Sequence, residues 1–195
     1  MNNHNGNHRT EFIFSGFGGQ GVMFVGQLLA YAAMDAGFNV TWIPSYGPEM
    51  RGGTAHCTTI VSERTIGSPI SPRPHVAVVM NTPSFTKYES LVRPDGLLVV
   101  NTALVSGTSR REDIEVLDIP ATTMAEALGN VRAANMVLLG AALTARPALP
   151  LAVLHTALEA HLPAHHRNVL AINHAALDAG AKVAVTLRST RLGIS

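Results

Sequence analysis

The chain has 195 residues, 47% of them hydrophobic and only 14% charged, a length that suits one α/β domain with a substantial core. Charge this sparse, against about 25% in an average soluble domain, points to a surface partly buried against other subunits, or else to an Ala-rich enzyme with a bland exterior. A formal net charge of +1 with scattered basic residues excludes nucleic acid and an anionic membrane as expected partners.

Cys57 is the only cysteine. That excludes an internal disulfide and falls short of the roughly four thiolates an iron–sulfur cluster needs. No apolar run reaches the roughly 20 residues required to span a bilayer, and the polar start lacks the apolar core of a signal peptide. The reading is a cytoplasmic protein with a disordered tail at 1–9, a single domain over 10–186 and a loose C-terminal tail over 187–195.

Glu11–Ser15, centred on Phe12, Ile13 and Phe14, reads as a buried strand, and Gly16–Gly21 as a glycine-rich turn. Val22, Val25, Leu28, Leu29, Ala32 and Ala33 recur at helical spacing, and Gly37 is placed to end that helix in a left-handed conformation. Asn39–Ile43 is a second strand. Pro44–Gly53 carries two prolines and three glycines and is expected to be irregular. Strands follow over Thr54–Ser62 and the apolar run Val76–Met80, then a short helix over Ser84–Val92 and a strand over Leu97–Val100 ending at Asn101. Ile114–Ile119 is a further strand. Thr123 and Glu126 have capping-box spacing for a helix starting near Met124. Helices are expected over Asn135–Thr144, Pro150–His161 and Arg167–Ala179, the last stopped by Gly180. Strands alternating with helices indicate a Rossmann-like three-layer α/β sandwich with a mostly parallel sheet.

The run Gly16-Phe17-Gly18-Gly19-Gln20-Gly21 fits G-x-G-x-x-G between a strand and a helix. Glycines there allow a sharp turn and let backbone N–H groups approach an anion at the helix N-terminus. The alternative is a tight turn required only by strand–helix packing. A nicotinamide site also needs an acid about 20 residues on, and Trp42-Ile43-Pro44-Ser45 supplies none. Gln20-Gly21-Val22 stands where an ATP-binding loop carries Lys-Ser/Thr. The second candidate segment is Ser45-Tyr46-Gly47-Pro48-Glu49-Met50-Arg51-Gly52-Gly53-Thr54-Ala55, expected beside the first loop at the carboxyl edge of the sheet. Arg51 there either clamps an anion or pairs with Glu49 or a partner subunit.

Gly18-Gly19-Gln20-Gly21 followed by Tyr46-Gly47-Pro48-Glu49-Met50-Arg51-Gly52-Gly53 resembles the gamma subunit of 2-oxoacid:ferredoxin oxidoreductases, nearest the 2-oxoglutarate and branched-chain types. Ser68-Pro69, Gly129-Asn130, Asn135-Met136-Val137 with Leu139-Gly140, and Asn173–Gly180 extend the similarity over Phe12–Lys182. His75 is a departure, since many relatives carry Asp there. The resemblance implies a non-autonomous subunit of an enzyme that oxidatively decarboxylates a 2-oxoacid to acyl-CoA, with ferredoxin as electron acceptor. It implies alpha and beta partner subunits, a ferredoxin-like delta subunit, and thiamine diphosphate, Mg and iron–sulfur clusters on other chains, with coenzyme A as acyl acceptor. This chain itself is expected to hold no cofactor or metal and no catalytic residue. Its interface or cofactor-facing residues are Gly18, Gly19, Gln20, Gly21, Tyr46, Gly47, Glu49, Arg51, Gly52 and Gly53. A free-standing nucleotide-binding oxidoreductase and a purely structural scaffold subunit stay open as alternatives.

Overall fold

In the computed structural model, residues 9–45 and 54–192 are described. Six strands form one sheet: β1 (Arg9–Gly16), β2 (Asn39–Ser45), β3 (Ala55–Ser62), β4 (Val76–Val79), β5 (Leu97–Asn101) and β6 (Glu115–Ile119), in the order β2-β3-β1-β4-β5-β6. β3 runs antiparallel to both neighbours, whereas β1, β4, β5 and β6 pair in parallel. The expected mostly parallel sheet is therefore present, with one inverted strand inserted between β1 and β2. Arg9 already pairs with Ser62, so the strand begins inside the segment expected as a tail.

Among the described residues the helices are α1 (Val22–Asp35), α2 (Thr82–Tyr88), α3 (Ala121–Ala127), α4 (Ala134–Ala145), α5 (Leu151–His161) and α6 (Leu170–Leu192). Alternation along the strands divides the core between two faces. Phe12, Phe14, Val76, Val78, Leu97 and Val99 point to the side covered by α1 and α3–α6. Ile13, Ala77, Val79, Leu98 and Val100 point to the other, covered by Tyr88, Val92, Val105 and Ile114. Burial on both faces explains why β4 and β5 read as unbroken apolar runs. Among the described helices the layers are lopsided, with α1 and α3–α6 on one side and α2 on the other.

Local chemistry accounts for several boundaries. Gly37 (φ 83) ends α1, with its N–H donating to Met34 O and Phe38 N–H to Ala33 O, the paired bonds of a Schellman motif. Asn81 caps α2 by accepting from Ser84 N at 2.8 Å, so this helix starts two residues before the expected Ser84. Pro44 and Ser45, expected to be irregular, continue β2; β2 is an edge strand, where a missing N–H is tolerated.

Three expectations are corrected. Thr123 caps nothing: α3 starts at Ala121, and Asn101 at the end of β5 holds its first turn by accepting from Thr122 N and donating to Thr122 Oγ1. The last helix starts at Leu170, after a 3-10 turn over Ala164–Val169. Gly180 does not stop it, since α6 runs to Leu192, well into the expected tail. At the α4–α6 crossing, a Cβ on Gly180 would lie 1.8 Å from Val137 O, and one on Gly140 2.1 Å from Leu177 O. The two glycines serve close approach of helix backbones rather than termination.

Candidate functional site: the carboxyl rim of the sheet

β1, β2, β4, β5 and β6 all end at one rim, and β3 starts there. Gly16, the last residue of β1, pairs with Ala55, the first of β3. Ser45, the last residue of β2, pairs with His56. One foot of the second loop is thus adjacent to the glycine turn, and the other lies one strand further along the same rim. Tyr46, Gly47, Glu49, Arg51, Gly52 and Gly53 lie outside the described residues; Gly18, Gly19, Gln20 and Gly21 lie together on the rim.

The glycine turn is held by Gln20. Its Oε1 accepts from Phe17 N at 2.6 Å, and its Nε2 donates to Met80 O at 3.2 Å. The side-chain amide therefore closes the turn and ties it to the end of β4. Gly16 makes room for it, because a Cβ there would sit 2.5 Å from Gln20 Oε1. Gly21 has φ 74, and a Cβ on it would lie 2.1 Å from Asn135 Nδ2, which donates to Gly21 O at 3.3 Å. Asn135, in the first turn of α4, is buried. Sequence reading noted Asn135 only as part of the resemblance, because the bond joins residues far apart in the chain.

α1 starts at this turn with neither a side-chain cap nor an acidic residue in its first turn, leaving its partial positive charge directed to the rim. A pocket of ≈ 160 Å³ opens on one flank, lined by Gly19, Gln20, Asn101, Thr122, Arg132 and Asn135 among others. On the other flank, Phe17, Gly18, Gly21, Met23, Phe24 and Ala55 line a depression of ≈ 340 Å³, with Phe17 41% exposed. Among the described residues lining either hollow there is no His, Cys or carboxylate. The described linings offer amides and the Arg132 guanidinium, groups suited to binding and orientation rather than to acid–base or nucleophilic chemistry.

Cys57 is buried in β3, its thiol pushed up to about 12 chiefly by burial; it donates to Val22 O at 3.3 Å and lines neither hollow. Two histidines of α5 have separate partners: His155 contacts His174 and Asp178, whereas His161 pairs with Asp35 and stacks on Tyr31. Among the described residues no group of three or more His, Cys, Asp or Glu is arranged to hold a metal, and no helix is long and apolar enough to cross a membrane.

The dinucleotide alternative meets a topological obstacle. In a nucleotide-binding βαβ unit the second strand lies beside the first and carries the ribose-holding acid; here β3 separates β1 from β2, and β2 ends without an acid.

Residues 11–183 match the family described as pyruvate ferredoxin/flavodoxin oxidoreductase. The chain belongs to this family. Over 126 residues it is 40% identical to the ketoisovalerate oxidoreductase subunit VorA of Methanothermobacter marburgensis, covering 65% of this chain and 26% of VorA. It thus spans about a quarter of the length of the VorA relatives it matches. It is 33% identical over 144 residues to the 2-oxoglutarate synthase subunit KorC of Methanocaldococcus jannaschii, covering 72% of this chain and 77% of KorC. Among solved structures, the gamma subunit of keto/oxoacid ferredoxin oxidoreductase from Geobacter sulfurreducens superposes with a TM-score of 0.79 at 24% identity, over 91% of this chain and 99% of that one. The 2-oxoglutarate:ferredoxin oxidoreductase from Magnetococcus marinus, with 2-oxoglutarate, coenzyme A and succinyl-CoA bound, gives 0.83 at 22% identity, over 93% of this chain and 32% of that one. At these identities the likeness is one of fold.

Proposed function

We propose that this family member works as the gamma-type subunit of a 2-oxoacid:ferredoxin oxidoreductase, building the complex and the coenzyme A side of its active site. The observation that carries the role is the single rim on which the glycine turn, the uncapped start of α1 and both feet of the 46–53 segment meet. That rim offers N–H donors for an anion, and among the described residues lining its two hollows there is no His, Cys or carboxylate. The subunit-length match to KorC supports the division of labour. Thiamine diphosphate, Mg and the iron–sulfur clusters fall to alpha, beta and delta partners in the cytoplasm, since one buried thiol cannot ligate a cluster. The oxoacid is 2-oxoglutarate or a branched-chain acid, on the strength of the KorC and VorA similarity.

The structure shifts weight within the glycine turn. Gln20 spends its amide on Phe17 and Met80, so contact with an anionic group of coenzyme A falls to the backbone of Gly18 and Gly19 and to Arg51. The same engagement of Gln20 favours a second reading, a scaffold that touches no ligand. Arg51→Ala in the assembled complex separates them. A raised KM for coenzyme A with intact assembly is the expected result; unchanged KM, turnover and assembly would leave the scaffold.

A further inference from the structure

We propose that the opposite, amino-terminal rim of the sheet carries a second binding site, a cationic pocket for the phosphate group of a small molecule. Its frame comes from three segments pinned to one another. His75, just before β4, donates its N–H to Glu11 O at 3.0 Å and accepts from Leu97 N at 2.8 Å. Arg93 N donates to Pro74 O at 3.1 Å. Between them opens a pocket of ≈ 480 Å³ lined by Glu11, Pro72, Arg73, His75, Arg93 and Pro94. That volume lies within the roughly 300–1,000 Å³ typical of small-molecule sites.

The charges in it are unbalanced. The carboxylate of Glu11 is already committed, with Oε1 taking Arg9 Nε at 2.7 Å and Oε2 taking Ser71 Oγ at 2.5 Å. Arg73 and Arg93 pair with no carboxylate among the described residues. Arg146 adds positive field close by, and its buried Nε has no hydrogen-bond partner. His75 registers this surplus: burial first, then Arg93, hold its pKa below the ordinary value, with Arg9 and Arg146 acting the same way and Glu11 opposing.

His75 ties Arg93 to the pocket wall. Its Nδ1 lies 3.3 Å from Glu11 N and 3.8 Å from Glu11 Oε2. Its Nε2 stands 2.7 Å from Arg93 Nη1, and since a guanidinium only donates, the imidazole accepts there. An oxyanion entering the pocket takes the remaining N–H groups of Arg93 together with the Arg73 fork. Two guanidiniums suit a dianion better than a single carboxylate, and the volume leaves room for a substituent on the phosphate.

The test is a titration of the full chain with inorganic phosphate at constant ionic strength, read by calorimetry, with acetate as the monoanion control. Phenyl phosphate in a parallel arm asks whether the site prefers an ester. The wild-type chain should bind phosphate in preference to acetate. His75→Asp, which sets a carboxylate against Arg93, and the double variant R73A/R93A should each weaken phosphate binding about tenfold or more. Circular dichroism identifies which of the two variants is folded, and that one is scored. Equal responses to phosphate and acetate, or wild-type phosphate affinity in a folded variant, would overturn the proposal.

Discussion

Replacing Gly180 by Ala tests the α4–α6 crossing on which the helical layer rests. The added Cβ would stand 1.8 Å from Val137 O, where real Cβ contacts essentially never come below 3.0 Å. The obstacle is backbone on backbone, so no side chain can swing aside, and the helices must separate by roughly 1 Å in a close-packed interior. Met136, Leu139, Ala176 and Leu177, all fully buried, would lose their fit. Overpacking of this kind costs about 3 kcal/mol at the upper end of its usual range. The better helix propensity of Ala returns about 1 kcal/mol. A net loss of about 2 kcal/mol corresponds to a fall in Tm of roughly 4–8 °C for a chain of this size. Thermal melts with a parallel urea titration measure it. Gly67→Ala, whose Cβ meets open space, is the control. Gly140→Ala should behave like Gly180→Ala, and the pair should not be additive because both press on one crossing. A Gly180→Ala protein melting at or above wild type would refute this account of the helix contact.

Gln20→Ala should release both Phe17 N–H and Met80 O, costing about 1 kcal/mol and speeding exchange of the Phe17 amide about fivefold; unchanged exchange would show that the amide does not hold the turn. Cys57, with its thiol pushed up to about 12, should resist a thiol reagent at pH 8 in the native chain and react once denaturant is added. Its folded pKa lies above the ordinary 9.0, so its stabilising contribution is whole below pH 9 and is lost as pH rises towards about 12. Fast labelling of the native protein would contradict this burial.

Much of the frame was legible because its causes are local. The turn after β1, the apolar stripe of α1 and the left-handed Gly37 are short-range signals, and continuous apolar runs announced β4 and β5. What sequence reading missed depends on partners distant in the chain. Gly180 looks like a helix stop until Val137 O is found beside it, and Gly26, inside α1, carries no sign that a Cβ would lie 2.4 Å from Cys57 Sγ. The inversion of β3 leaves no mark in its composition, since an interior strand is covered whichever way it runs. At the rim, the glycine turn was legible by pattern, but the bonds that hold it were not, since the Gln20 amide reaches Met80, distant in the chain, as well as Phe17. The contacts of His75 likewise need coordinates, because Glu11 reaches it from β1 and Arg93 from the turn before β5.

The inverted strand has one more consequence. Because β3 returns directly alongside β2, the segment between Ser45 and Thr54 joins two antiparallel strands that are zipped through seven consecutive pairs, Asn39↔Ser62 to Ser45↔His56. Lengthening such a connection costs only about 0.6 kcal/mol per doubling, and the sheet below does not register the change. Changes of length and charge between Ser45 and Thr54 can therefore accumulate on a constant foundation, confined to the connection that tolerates them most readily.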